Sequence, residues 1–399
     1  MSVKGCILPW IHMHGNMTGE YKVCCVSKGS VTEEYTLGTH EESMLKVWNG
    51  KPYRDLRKQF LRGEIPPQCK RECYDKEKQG GHSHRQELNT YWNKKEIFQT
   101  SRYTKEDGSI TIPPTYLDIR FGNICNFRCR MCGSYASSQW RKEEEEFFKT
   151  KAHPITDTWT DNDNLWKDLP KLLPYLEEIY FAGGEPLVQE GHYKLLHFLI
   201  DNKKTDLTIS YNTNLSILNY KTENIFDLWK EFKEVKLYLS QDGYKEVGEY
   251  IRKGLVWDIF NSNLKKVSKY VNSISCVIQI YNIYNIPKLL VYCNQNGKDL
   301  YPNLLTNPDH FNIQILPIEE KEKIIKYYKG FMQKYKLKEW QAKKLINMLE
   351  FMKHTPNNAE ELQSRFKKMT QLLDNSRDEN FCSVVPELAQ WYKSIKVLA

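Results

Sequence analysis

Apolar residues change their spacing along this chain, and the changes divide it. Short apolar runs with strand-like patterning recur at residues 116–120, 178–181, 207–211, 235–239, 276–281 and 311–315. Between them lie stretches whose apolar side chains fall three and four apart, at residues 192–202, 223–232, 257–268 and 286–294. A two-residue period lines one face of a strand, and a 3.6-residue period lines one face of a helix. Strands separated by helix-length segments pair in parallel through βαβ crossovers. The middle of the chain, residues 113–317, is therefore expected to be an α/β domain of six βα units. On such sheets the loops leaving the C-terminal strand ends carry the chemistry.

The flanks read differently. Residues 1–90 hold cysteines but little long periodic structure, residues 91–112 form a linker around the polar turn Lys105-Glu106-Asp107-Gly108-Ser109, and residues 318–399 are a helical extension. The densest basic stretch, residues 321–344, sets Ile324, Tyr328, Phe331 and Tyr335 at helical spacing. It is read as a helix with an aromatic core stripe and a solvated basic face. A nucleic-acid surface is the alternative, since the net charge is +8.

Hydrophobic content of 40% and charged content of 27% fit a soluble globular protein, and no apolar run approaches the ~20 residues that span a bilayer. The start, MSVKGCILPWIHMHG, lacks the apolar stretch and cleavage site of a signal peptide. These features place the chain in the cytoplasm with no membrane partner. In that reduced compartment eleven cysteines, odd in number and clustered, point to metal rather than to disulfides.

The run CNFRCRMC sets Cys125, Cys129 and Cys132 with gaps of three and then two residues. Thiolates are soft ligands that suit iron–sulfur clusters or zinc. A structural zinc site wants a fourth ligand close by, and no Cys or His follows until His153. Three thiolates on a four-iron cubane leave one iron open to a small molecule. One βα unit later, Gly183-Gly184-Glu185-Pro186 ends the run Glu178-Ile179-Tyr180-Phe181-Ala182. Paired glycines let a ligand approach the backbone, and a carboxylate there accepts bonds from an ammonium group.

Together these two motifs resemble the radical S-adenosylmethionine (radical SAM) superfamily. The resemblance implies a partial (β/α)6 TIM-like barrel holding a [4Fe-4S] cluster and S-adenosyl-L-methionine. Gly183, Gly184, Glu185 and Pro186 would bind the methionine amino group, and Met131 would meet the adenine through its backbone. Polar groups at the third and fourth strand ends, Asn214, Ser240 and Asp242, with Arg252 beyond, match positions that contact the cofactor's ribose or carboxylate. Arginine suits a carboxylate because its fork donates two parallel bonds. Asn282 is a weaker member of this set.

A second cysteine constellation lies in the N-terminal region. Cys6, Gly19 and Cys24 follow the pattern C-x12-G-x4-C, and Pro66-Pro67-Gln68-Cys69 and Cys73 close it. With Leu8-Pro9-Trp10 and Tyr53-Arg54-Asp55-Leu56-Arg57, this resembles a SPASM or Twitch domain, the auxiliary-cluster domain of radical SAM enzymes. Cys6, Cys24, Cys69 and Cys73 would ligate a second, auxiliary [4Fe-4S] cluster, which makes Twitch the closer label. The choice between Cys24 and Cys25 stays open, as does a zinc-stapled domain on cysteine count alone. These domains normally follow the barrel, whereas this one precedes it. His12, His14, His82 and His84 are read as surface or turn residues, and residues 77–89, with Ser83 and Arg85, as a solvated connector. The acidic run from Glu143 to Glu146 is expected to face water.

The resemblance implies reductive cleavage of S-adenosylmethionine to a 5′-deoxyadenosyl radical that takes hydrogen from a substrate. The electron would come from a reductant such as flavodoxin or ferredoxin. The substrate would be a peptide or protein; RNA, a nucleotide or another small molecule is the alternative, and a non-enzymatic zinc or electron-carrier module is a third reading. No catalytic hydrogen donor is assigned. Cys276 and Cys293 read as buried core, and Cys382 is the one thiol worth testing as a donor.

Overall fold

A computed structural model describes residues 5–27, 35–78, 82–93 and 104–398. In chain order its strands include β1 (His12–Gly15), β2 (Glu20–Lys22), β3 (Gly38–Thr39), β4 (Tyr116–Ile119), β5 (Arg128–Cys129), β6 (Glu178–Phe181) and β7 (Thr208–Thr213). They continue with β8 (Glu234–Ser240), β9 (Arg252–Lys253), β10 (Val271–Ile278) and β11 (Leu300–Leu304). The chain packs as two compact units. One comprises Met1–Ile124, Ile155–Asn212 and Asn219–Lys236, and the other Cys125–Pro154, Thr213–Leu218 and Leu237–Ala399.

In the first unit β4, β6 and β7 pair in parallel, as the βαβ pattern requires. The N-terminal segment joins this sheet. Strand β1 lies parallel to β4 with His12 opposite Tyr116 and His14 opposite Asp118, and β2 and β3 follow antiparallel. Side chains alternate between the two faces of each strand. Leu117, Ile179, Phe181, Ile209 and Tyr211 are fully buried, each contributing about 1.5–3 kcal/mol by leaving water. Two helices of this unit bury apolar stripes at helical spacing. Asp163–Leu172 buries Leu165, Leu169 and Leu172, and starts at Asn162, whose side chain accepts the Leu165 N–H. Glu190–Asp201 buries Leu195, Leu196 and Leu199. Arg57, on the helix Lys51–Leu61, is buried and staples the N-terminal turn: Nε donates to Pro9 O and Nη2 to Trp48 O, both at 2.8 Å.

In the second unit β8, β10 and β11 pair in parallel, and β5 and β9 form a short antiparallel ladder. Helices Trp257–Val267 and Ile286–Gln295 lie between its strands in the chain, and helices Ile318–Lys334, Glu339–Lys353 and Ala359–Arg377 form the expected C-terminal extension.

Four expectations need correction. No strand forms at residues 311–315. Asp309–Phe311 and Ile313–Ile315 are 3₁₀ turns, the second capped by Asn312, and β11 is the strand instead. The alternation of apolar Phe311, Ile313 and Ile315 with polar Asn312 and Gln314 mimics a strand period, while Pro302 in β11 removes a donor and suits the end position that β11 occupies in its sheet. The basic stretch breaks into two helices, Ile318–Lys334 and Glu339–Lys353; Ile324 and Tyr328 are buried in the first, and Phe331 and Tyr335 only half so. Helix formation in the 223–232 stretch is confined to Ile225–Trp229. His12 and His14 are buried strand residues rather than surface ones, because β1 is an interior strand of its sheet.

Candidate cluster and cofactor sites

The loop Cys125–Cys132 belongs to the second unit, and local hydrogen bonds fix its shape. Phe127 N–H donates to Cys125 Sγ at 3.4 Å, Cys132 N–H to Cys129 O at 2.9 Å, and Trp140 Nε1 to Cys129 O at 2.9 Å. The Ser137 hydroxyl donates to Phe127 O. Cys129 is buried, and Cys125 and Cys132 are partly open. Arg252 pairs with Cys129 across the β5–β9 ladder, and its Nη1 reaches Cys129 Sγ at 3.7 Å. A hydrogen bond from the Cys132 thiol, helped by Arg252 against the cost of burial, holds the Cys129 thiol below its ordinary range. The same hydrogen bond raises the Cys132 thiol well above its ordinary range.

The donor set is three soft sulfurs on one short loop. Among the described residues no three Cys, His, Asp or Glu groups gather closely around one point. A cubane makes no such demand, since each thiolate takes a different iron. The loop's residues fit a cluster ligated by Cys125, Cys129 and Cys132.

The Gly-Gly-Glu-Pro turn belongs to the first unit. Gly183 and Gly184 have φ of +77° and +53°, a region that glycine enters without strain. A Cβ on Gly184 would stand 2.2 Å from Ile124 O, so the glycine is required for close approach. The Glu185 N–H donates to that same carbonyl at 3.0 Å, and Gln189 Nε2 bonds Ile124 O at 3.1 Å and Gly183 O at 2.8 Å. Ile124 immediately precedes Cys125 in the chain. The buried Glu185 carboxylate accepts the Leu187 N–H at 3.2 Å.

The other expected cofactor residues lie in the second unit. Asn214 Nδ2 donates to Asn126 Oδ1 at 2.9 Å, inside the cysteine loop. Asp242 is buried and pairs with Arg252 Nε at 2.8 Å. Burial lifts its carboxyl above the usual carboxylate range, with Arg252 opposing. Val277 N–H donates to Asp242 Oδ1 at 2.7 Å, and Asn282 Nδ2 to Asp242 O at 2.8 Å. Ser240, at the end of β8, and Met131 are partly buried.

In the first unit Cys6, Cys24, Cys69 and Cys73 are all buried. Burial pushes the Cys6 thiol up to about 12, and the thiols of Cys24 and Cys69 are raised by burial and by the other cysteines of the set. The four lie within electrostatic reach of one another. Cys25 is exposed, and its Sγ lies 3.9 Å from His84 Nε2. This favours Cys24 over Cys25 as the fourth member. Four buried thiols that interact electrostatically fit an auxiliary cluster, in which each would take a different iron.

Three features escaped the sequence reading. Ser83 and Arg85 are buried, not solvated: both bond Glu77, and Arg85 Nη1 reaches Gly5 O at 2.9 Å. Glu143 is buried as well, its carboxylate held by Arg377 at 2.7 and 2.8 Å and by Arg128 at 3.3 Å. At the end of β4, Asp118 pairs with His14 at 2.8 Å and with Arg120 at 3.5 Å. The alternation in His12-Met13-His14 was the signal for β1, but four residues are too few for a period to stand out. Cys276 and Cys293 are buried as expected, and Cys382 is partly open.

Residues 119–288 match the Radical SAM superfamily, and residues 6–74 match SPASM, an iron–sulfur cluster-binding domain. The chain therefore carries a radical SAM enzyme domain with a SPASM domain ahead of it. Its cofactor complement follows from these domains: a [4Fe-4S] cluster and S-adenosylmethionine for the first, auxiliary iron–sulfur for the second. A GTP 3′,8-cyclase from Campylobacter lari is 24% identical over 148 residues, which are 37% of this chain and 41% of that relative. Crystal structures of SuiB from Streptococcus suis are similar at 13% identity and a TM-score of 0.37. The one with S-adenosylmethionine covers 67% of this chain and 59% of SuiB; the one with precursor peptide SuiA covers 82% and 69%. Among the described residues no helix is long and apolar enough to cross a membrane.

Proposed function

We propose that this chain cleaves S-adenosylmethionine reductively and abstracts hydrogen from a peptide or protein substrate. The observation that carries the reading is the build of each motif in its own unit: the cysteine loop is held by bonds to Cys129 O from Cys132 N–H and Trp140 Nε1, and the paired glycines stand at positive φ with Gly183 O bonded by Gln189 Nε2. Cys125, Cys129 and Cys132 would hold the cluster. Gly183, Gly184, Glu185 and Pro186 would receive the methionine amino group, and Asn214, Ser240 and the Met131 backbone the rest of the cofactor. Once bound, cluster and cofactor supply a carbon radical able to break a substrate C–H bond. The protein's part is to orient them and exclude water. Cys6, Cys24, Cys69 and Cys73 would hold an auxiliary cluster that accepts an electron or anchors substrate.

The SPASM domain supports the peptide or protein class, because relatives with such domains often modify peptides. The cyclase relative, whose name gives GTP as what it acts on, favours a nucleotide as the second reading.

The test is anaerobic reconstitution followed by dithionite and S-adenosylmethionine. 5′-Deoxyadenosine should form with the unsubstituted chain and vanish when Cys125, Cys129 and Cys132 are all replaced by Ala. Product from the triple variant would remove the assignment. Deuterium transfer into 5′-deoxyadenosine from labelled peptides, and not from labelled GTP, would separate the two substrate classes.

A further inference from the structure

We infer that Arg252 is a positioning residue for the loop cluster: its guanidinium donates an N–H···S hydrogen bond to Cys129 and raises the cluster's reduction potential. This role differs from service to the carboxylate of S-adenosylmethionine, which the motif resemblance implies for this position. This rests on the reading of Cys125, Cys129 and Cys132 as cluster ligands.

Backbone and side chain both fix the contact. Arg252 and Cys129 are partners in the β5–β9 ladder, and the next residue on the loop, Arg130, donates its N–H to Ile251 O at 2.8 Å. The two residues therefore cannot drift apart without breaking the ladder. From that frame Arg252 Nη1 points at Cys129 Sγ, 3.7 Å away, within reach of a bond to sulfur. On its Nε side the guanidinium forms an ion pair, with Nε 2.8 Å from Asp242 Oδ2. Asp242 is itself held by Val277 N–H at 2.7 Å and is wholly buried. The arginine is thus clamped between a fixed carboxylate and the sulfur. Lys253, next along β9, is anchored to Glu379 at 2.9 Å, which restrains the strand further.

The physical consequence concerns electrons. Reduction adds negative charge to a cluster and to its thiolates, and hydrogen bonds to the sulfurs stabilise that charge. Asp242 offsets the cation's charge at longer range. The directional N–H···S bond therefore carries the effect, and a cation without the fork should replace it only in part.

Arg252→Met and Arg252→Lys, made in the full chain and reconstituted anaerobically, test this by potentiometric titration followed by EPR. The loop cluster's signal is recognised by its change on adding S-adenosylmethionine. With Arg252→Met the reduced fraction at a fixed poise should fall about tenfold, which is about 59 mV for a one-electron couple. Arg252→Lys, which keeps the fold's charge balance, should recover part of the loss. Binding of S-adenosylmethionine, by equilibrium dialysis, should change less than about threefold. An unchanged potential with binding weakened tenfold or more overturns the inference and makes Arg252 a cofactor ligand. If the unsubstituted chain shows no cluster signal that responds to S-adenosylmethionine, the cluster reading itself fails, and this inference with it.

Discussion

Cys6, Cys24, Cys69 and Cys73 are buried within electrostatic reach of one another, whereas Cys125, Cys129 and Cys132 sit on a loop braced by arginines. In the first unit Arg85 turns to Glu77 and Gly5 O, and Arg57 to Pro9 O and Trp48 O. In the second, Arg252 reaches a sulfur, Arg130 meets Asp374 and Glu379 at 2.6 Å each, and Arg128 and Arg377 share the buried Glu143. Burial raises the thiols of Cys6, Cys24 and Cys69, while in the loop one thiol hydrogen bond lowers Cys129 and raises Cys132. A metal must therefore displace protons from the first set against the cost of buried charge. In the loop Cys132, whose thiol is raised by the bond it shares with Cys129, carries that cost. The contrast fits one site that closes around its metal and another that leaves part of it accessible.

The largest expected effect separates the two sulfur sets. Replacing Cys6, Cys24, Cys69 and Cys73 with Ala should lower iron from about eight to about four per chain, as expected for two cubanes. It should keep the S-adenosylmethionine-responsive signal and uncoupled 5′-deoxyadenosine formation. Replacing the three loop cysteines should remove the same iron and all of that product. Iron and sulfide analysis with chromatography of the nucleoside reads both. Equal loss of product from the two variants would mean that the sets do not act separately. Should the quadruple variant not fold, Cys69→Ala with Cys73→Ala gives the same contrast.

Next in size is the arginine behind the loop. Arg130 is almost fully buried; its Nε donates to Tyr250 O at 2.9 Å and its guanidinium lies 3.5 Å from the Tyr250 ring centre. Removing one partner of a buried charge pair strands the other, at about 3–5 kcal/mol. Arg130→Met should lower stability by that amount, read from anaerobic urea unfolding. Arg57→Met in the first unit leaves only carbonyl acceptors unpaired and should cost less, about 1–3 kcal/mol. The reverse order would show that the carboxylates of Asp374 and Glu379 find water when Arg130 is gone.

Much of this was legible from residue spacing. The thiols of the loop and the glycines of the turn announce themselves because few other functions need those residues at those gaps. Parallel β4, β6 and β7 followed from strands spaced by helix-length segments. The arginine bracing was not legible. Arg130 meets Asp374 and Glu379 more than two hundred residues away, and no local period links them. Glu143 opens a run of four acidic residues that looks solvated, yet its helix turns that one position onto Arg377. Strand β1 was missed because His12 and His14 break the apolar pattern, although each is buried with a partner: Val23 O at 2.8 Å for His12 and Asp118 at 2.8 Å for His14.

The smallest effect sharpens the same comparison through pH. Both units bury neutral imidazole: His192 in the first and His310, which burial lowers to about 4, in the second. Burial drives His192 down to about 3, and its Nε2 lies 2.9 Å from the Tyr211 hydroxyl. An imidazole whose folded pKa is below its unfolded value near 6.5 leaves the unfolded chain binding more protons between those two pH values. Its contribution to stability is therefore intact above about pH 6.5 and declines as acid is added toward pH 3. His192→Phe removes the titrating group. The stability of the unsubstituted chain relative to this variant should fall by up to about 2 kcal/mol between pH 7 and pH 5. Urea midpoints at the two pH values measure it. A difference that stays flat would mean that His192 is solvated or charged in the folded state, and that the first unit's interior is more polar than its sulfur and imidazole content suggests.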